Sequence, residues 1–138
     1  MLAREGRRVS SISPHDDTQP FSVEDEEIDA TTHVIDVAGE VDLYSAPELK
    51  ERVLSAIDAG KTRIVVDLSK TTFIDSTTLG VLVGGVKRLR TNDGELSLVC
   101  SDRNITKIFE ITGLDRVFTI YSTRDEAVDQ LKTSGPAA

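Results

Sequence analysis

The stretch Arg63-Ile64-Val65-Val66-Asp67-Leu68 constrains the fold more than any other part of the chain. It is short, β-branched and nearly continuous in its apolar run, the pattern of a central strand covered on both faces. Such a strand needs helices or other layers packed against it, and the flanking sequence supplies them. Before it, Leu49, Val53, Ala56 and Ile57 fall on one helical face; after it, Leu79, Leu82, Val83, Val86 and Leu89 recur at three- and four-residue spacing.

The same alternation of periods extends outward. Phe21, Val23 and Ile28 mark a weak first strand, His33 to Ala38 a stronger second one, and Asp29 to Thr32 the hairpin between them. Ser45 is placed as the N-cap of the first helix, with Glu48 completing a capping box, Pro47 in the tolerated first turn and Gly60 closing the helix. The second helix ends near Asn92-Asp93-Gly94, and Leu96 to Cys100 forms another buried strand. Ile105, Ile108 and Phe109 define a third helix ending at Gly113, Val117 to Tyr121 a last strand, and Ser122 the cap of a closing helix that buries Ala127, Val128 and Leu131. The order ββαβαβαβα describes a mixed sheet whose later strands are joined by helical crossovers.

With 138 residues and 38% hydrophobic content the chain has one layered core. Residues 1–19 contain almost no large apolar side chains and read as a disordered tail, 20–133 as the domain, and 134–138 as a flexible C-terminal tail. The tail's charges cancel (Arg4, Arg7, Arg8 against Glu5, Asp16, Asp17), so the net charge of −8 sits on the domain. That balance weighs against nucleic acid or anionic membrane as partner and favours basic or mixed protein surfaces. Cys100 is the only cysteine and His15 and His33 the only histidines, which excludes an internal disulfide and a Cys/His metal cluster. No apolar run approaches the ~20 residues of a membrane span, and Met1 to Arg8 lack the apolar stretch of a signal peptide, so a reducing cytoplasm is expected.

Several motifs fail on inspection. Gly80 to Lys87 lacks P-loop spacing and is helical, and Gly80-Val81-Leu82-Val83-Gly84 lies in too short an apolar run to be a membrane dimer motif. These glycines read instead as permitting close helix–sheet packing. Asn104-Ile105-Thr106 reads as a helix start, and Cys100 as a small buried hydrophobe. Lys87, Arg88 and Arg90 form a basic patch, either a solvated face or a complementary edge for an acidic partner. Tyr121-Ser122-Thr123-Arg124 offers no lysine for phosphoaspartate receiver chemistry, and one strand-borne histidine without a Gly-x-Ser-x-Gly elbow rules against a hydrolase.

The segment Asp67 to Gly80 runs from the buried strand through a polar turn into a helix, with Asp75 and Ser76 at its start. On residue chemistry alone Ser76 is an N-cap, its hydroxyl accepting from first-turn N–H groups. The segment resembles the signature of the STAS domain in anti-sigma factor antagonists, Asp-Ser-Ser-Gly-Leu-Gly or Asp-Ser-Thr-Gly-Leu-Gly. Asp75, Ser76, Thr77, Leu79 and Gly80 match it, and Thr78 stands where the family has glycine. Gly39-Glu40-Val41-Asp42, Asp67-Leu68-Ser69 and Ile111-Thr112-Gly113-Leu114 resemble three further family features, so the likeness runs from about Phe21 to Leu131.

The resemblance implies an α/β STAS fold with a four- to five-strand mixed sheet and helices mainly on one face. It implies a non-catalytic protein, without cofactor or metal, that occupies an anti-sigma factor and so frees a sigma factor for RNA polymerase. The anti-sigma factor is itself a serine kinase whose phosphorylation of Ser76 switches the antagonist off, and a serine phosphatase resets it. The partner-binding face implied is Glu40, Asp42, Tyr44, Asp75, Ser76, Thr77, Thr78, Leu79 and Gly80. From spacing alone Glu40 and Asp42 read first as loop acids ahead of the Ser45 cap, and the resemblance brings the partner-facing reading level with that one; Tyr44 is an aromatic contact or a packed loop residue. The alternative function is a phosphorylation-independent STAS-like sensing or scaffolding module of a stress-signalling complex.

Overall fold

The structure is a computed structural model and describes residues 20–133; the expected tails, 1–19 and 134–138, and the side chain of Leu131 lie outside the described residues. The chain forms β1 (Ser22–Glu27), β2 (Thr32–Val41), α1 (Ala46–Asp58), β3 (Arg63–Ile74), α2 (Ser76–Arg90), β4 (Glu95–Val99), α3 (Arg103–Thr112), a 3₁₀ turn (Leu114–Arg116), β5 (Thr119–Tyr121) and α4 (Arg124–Thr133). The five strands lie in the order β1-β2-β3-β4-β5. β1 and β2 form an antiparallel hairpin and every later pairing is parallel. This is the expected α/β mixed sheet.

Sequential strand order decides where the helices go. Crossovers of one hand between neighbouring parallel strands fall on the same face, so α1, α2 and α3 share a core with Ile35, Val37, Ile64, Val66, Leu68 and Leu98. There Phe109 of α3 meets Phe118 edge to face, with ring centroids 5.8 Å apart. The opposite face, carrying Val34, Val65 and Val99, is covered by α4 through Ala127, with Val128 partly buried beside it. β3 is thereby buried on both sides over Arg63–Leu68, as its run of β-branched residues predicts.

Two strands are longer than the sequence predicts. β2 continues through Gly39-Glu40-Val41, and β3 continues through the stretch expected as a polar turn, ending at Ile74. Bulges accommodate the extension: Asp36 pairs with Asp67 but Ala38 with Lys70, and Gly39 pairs with Thr71 but Glu40 with Phe73. At the first bulge Asp67 accepts a hydrogen bond from the Ser69 N–H at 2.9 Å. Beyond it the Thr71 hydroxyl donates to the Val37 carbonyl at 3.0 Å, so the polar residues are used by the ladder itself.

The helix ends also differ in detail. Gly60 and Gly113 follow α1 and α3 with φ of 94° and 78°, as expected of helix-ending glycines. Ser45 makes no side-chain cap hydrogen bond, so the capping box with Glu48 does not form. At α4 it is Thr123, one residue after the expected Ser122, whose hydroxyl accepts from the Glu126 N–H at 3.2 Å. Of the three glycines in α2 only Gly85 serves close packing, since a Cβ there would meet Leu96 at 3.0 Å and Val53 at 3.1 Å. A Cβ at Gly80 or Gly84 would meet nothing within 4 Å, so those two have no packing role among the described residues.

Candidate functional site

The C-terminal ends of β2 and β3 overhang β4, which pairs β3 only over Arg63–Asp67. The two strands deliver the β2–α1 loop and the start of α2 side by side, because Val41 pairs with Ile74. Asp75, in extended backbone, is the N-cap of α2 and accepts from the Thr78 N–H at 3.0 Å. Ser76 is therefore the first residue of the helix, not its cap. The sequence predicts the cap one residue late because serine and aspartate are equally good there and only the end of β3 decides between them.

This shift changes what each side chain does. Ser76 and Thr77 are exposed, and the Ser76 hydroxyl makes no hydrogen bond among the described residues. Thr78, expected on the partner surface, is fully buried: its hydroxyl donates to the Val41 carbonyl at 2.9 Å and lies 3.1 Å from Asp75 Oδ1. Thr78 thus ties the helix start to the end of β2. Leu79 is half-buried against the core and Gly80 is exposed. Asp75→Ala is expected to lower the unfolding free energy by about 1 kcal/mol, whereas Ser76→Ala stays within about 0.5 kcal/mol of wild type. Urea denaturation of both variants measures the difference, and equal losses would return the capping role to Ser76.

Asp42 organises the neighbouring loop. Its Oδ1 accepts from the N–H groups of Tyr44 at 2.9 Å and Ser45 at 3.1 Å, while Ser45 Oγ accepts from the Asp42 N–H at 2.9 Å. Those bonds take the Ser45 hydroxyl that the sequence assigns to capping α1. The loop so fixed points Leu43 and Tyr44 outward at 57% and 84% exposure, which settles Tyr44 as an exposed aromatic. Phe73, 46% exposed on the β3 overhang opposite Glu40, adds a third apolar side chain. Phe73 is absent from the sequence-predicted site because its segment reads as a turn; the β-propensity of Thr71-Thr72-Phe73-Ile74 is the signal that marks it.

Hydrogen bonds from the backbone of Ser45, then of Tyr44, hold the Asp42 carboxyl below its usual range. The folded value lies under the unfolded one of about 4. The contribution is therefore present above the unfolded pKa and is lost as pH falls through the folded pKa. An NMR titration is expected to place the Asp42 midpoint below about 3.9, with amide exchange at Tyr44 and Ser45 accelerating as it protonates. A midpoint at or above that value would contradict the loop geometry.

The adjacent ends of β2 and β3 carry exposed Glu40, part-exposed Asp42 and Asp75, the exposed apolar side chains Leu43, Tyr44 and Phe73, and the Ser76 hydroxyl at a helix N-terminus. Asp42 and Asp75 use their carboxylates on backbone N–H groups, and neither has a cation partner among the described residues. Burial raises the Cys100 thiol pKa, in keeping with a small buried hydrophobe. Among the described residues no helix is long and apolar enough to cross a membrane.

Fold and site together define a STAS domain: residues 22–127 match the STAS domain family model. The Listeria monocytogenes anti-sigma-B factor antagonist is 41% identical over 109 residues, spanning 77% of this chain and 93% of its own length. The chain belongs to the STAS-domain family of anti-sigma factor antagonists. An anti-sigma factor antagonist from Mycobacterium paratuberculosis superposes with a TM-score of 0.75 at 26% identity, covering 82% of this chain and 95% of the other. The Bacillus cell fate determinant SpoIIAA in its phosphorylated form gives a TM-score of 0.64 at 26% identity, covering 80% and 98%.

Proposed function

We propose that this chain is a cytoplasmic anti-sigma factor antagonist that acts by binding rather than catalysis, and that phosphorylation of Ser76 switches it off. Its partner is an anti-sigma factor that is also a serine kinase, and a serine phosphatase restores the binding form. The observation that carries this reading is the Ser76 hydroxyl, exposed and without a hydrogen bond among the described residues, at the first position of α2 where β3 ends alongside β2 and its exposed loop residues Leu43 and Tyr44. The relatives named antagonists and the phosphorylated form of SpoIIAA support it.

The chemistry of the switch follows from the site. A phosphate on Ser76 carries about −1.5 to −2 charge and sits at the positive end of α2, where anions are stabilised. The fold is left intact. The cost falls on the partner, which must desolvate a dianion beside Glu40, Asp42 and Asp75 to cover Leu43, Tyr44 and Phe73. Incubating the protein with its anti-sigma kinase and ATP, then mapping phosphate by mass spectrometry, tests this. Stoichiometric phosphate on Ser76, absent in Ser76→Ala, is expected; phosphate only elsewhere, or none, would favour a phosphorylation-independent sensing or scaffolding module.

A further inference from the structure

A groove of about 650 Å³ runs between α1 and α2, floored by Val53, Leu54 and Val81 and walled by Gly80 and Gly84. Glycine is the least favourable residue in a helix interior apart from proline, and the described residues give no packing reason for either, since a Cβ at each would enter open space. The groove's rim is cationic in a chain of net charge −8. Lys50 and Lys87 are exposed and make no ion pair or hydrogen bond among the described residues, and Arg88 reaches a carboxylate only at 3.9 Å, on Asp58. An apolar floor, two positions without side chains and a basic rim are complementary to one kind of occupant. We propose that this groove docks an acidic amphipathic helix of a partner protein, its small apolar face against Gly80 and Gly84 and its carboxylates on Lys50 and Lys87.

Packed helices ordinarily sit about 8–10 Å apart, the distance depending on the side chains between them, and glycine at the contact removes the bulk on one side. Ser76 does not line the groove but its neighbour Thr77 does, so the docking is measured on the unphosphorylated chain, without kinase or anti-sigma factor, and its outcome is separate from that of the Ser76 switch. The full chain, labelled with ¹⁵N, is titrated with a short designed helical peptide bearing Glu on both flanks of an Ala/Leu stripe, and with its Glu→Lys counterpart. Saturable shifts are expected at Lys50, Leu54, Val81 and Gly84, with the Glu peptide bound about tenfold more tightly. Lys50→Glu combined with Lys87→Glu reverses that preference. Gly84→Leu abolishes binding while raising Tm by about 4 °C, because it fills open space with a better helix former. A drop in Tm would make Gly84 structural and overturn the proposal. So would shifts elsewhere, equal affinity for the two peptides, or a concentration-dependent dimer that Gly84→Leu disperses, which would make a second copy the occupant.

Discussion

Ser76→Asp is expected to weaken binding to the anti-sigma partner by about 100-fold, roughly 2.7 kcal/mol, with far-UV circular dichroism and melting cooperativity unchanged. Two effects of opposite sign make the result specific. Within the fold, an added carboxylate at the first position of α2 meets the positive end of the helix and is neutral to slightly stabilising. At the interface, the same charge joins Glu40, Asp42 and Asp75 on a surface whose apolar members must be desolvated together, and like charges brought under a partner cost several kcal/mol. Ser76→Ala separates the two, since the hydroxyl caps nothing and its loss leaves fold and affinity near wild type. Calorimetric titration of both variants against the anti-sigma factor decides the matter. Wild-type affinity in Ser76→Asp, with Ser76→Ala equally unchanged, would sink the switch.

The architecture was legible because it is written in periodicity. The β-branched run of β3 and the spacing of Leu82, Val86 and Leu89 are local patterns that fix element type and buried face. What the residues alone could not reveal depends on contacts distant in sequence. Thr71 and Thr78 look like turn and helix-start polar residues until Val37 and Val41, more than thirty positions away, accept their hydroxyl protons. The bulges that lengthen β3 have no local signature either, and without them Phe73 is a loop residue rather than an exposed strand residue. Ser45 loses its capping role for a similar reason: its hydroxyl accepts from the Asp42 N–H within the tight loop that joins β2 to α1.

Thr78 carries the second large prediction. The resemblance places glycine at this position in the family, which suggests that Thr78→Gly should be harmless; the packing argues the opposite. Thr78 is fully buried, and its hydroxyl is the donor to the Val41 carbonyl at the end of β2, immediately before the loop that presents Leu43 and Tyr44. Removing it leaves that buried carbonyl without this donor, at a cost of about 1–3 kcal/mol. Glycine adds the lost methyl contacts and a less favourable helix residue, for a total of about 2–4 kcal/mol. Thr78→Val isolates the hydroxyl, because it keeps shape and β-branching but not the hydrogen bond, and is expected to cost about 1–2 kcal/mol. Urea denaturation of the two variants reads both values, with Thr78→Gly the larger. Because the tether also steadies the β2–α1 loop, amide exchange at Tyr44 and Ser45 should quicken in Thr78→Val under conditions where the domain stays folded. Wild-type stability in Thr78→Gly would mean that β2 and α2 are held together by the apolar contacts of Val41, Ile74 and Leu82 alone.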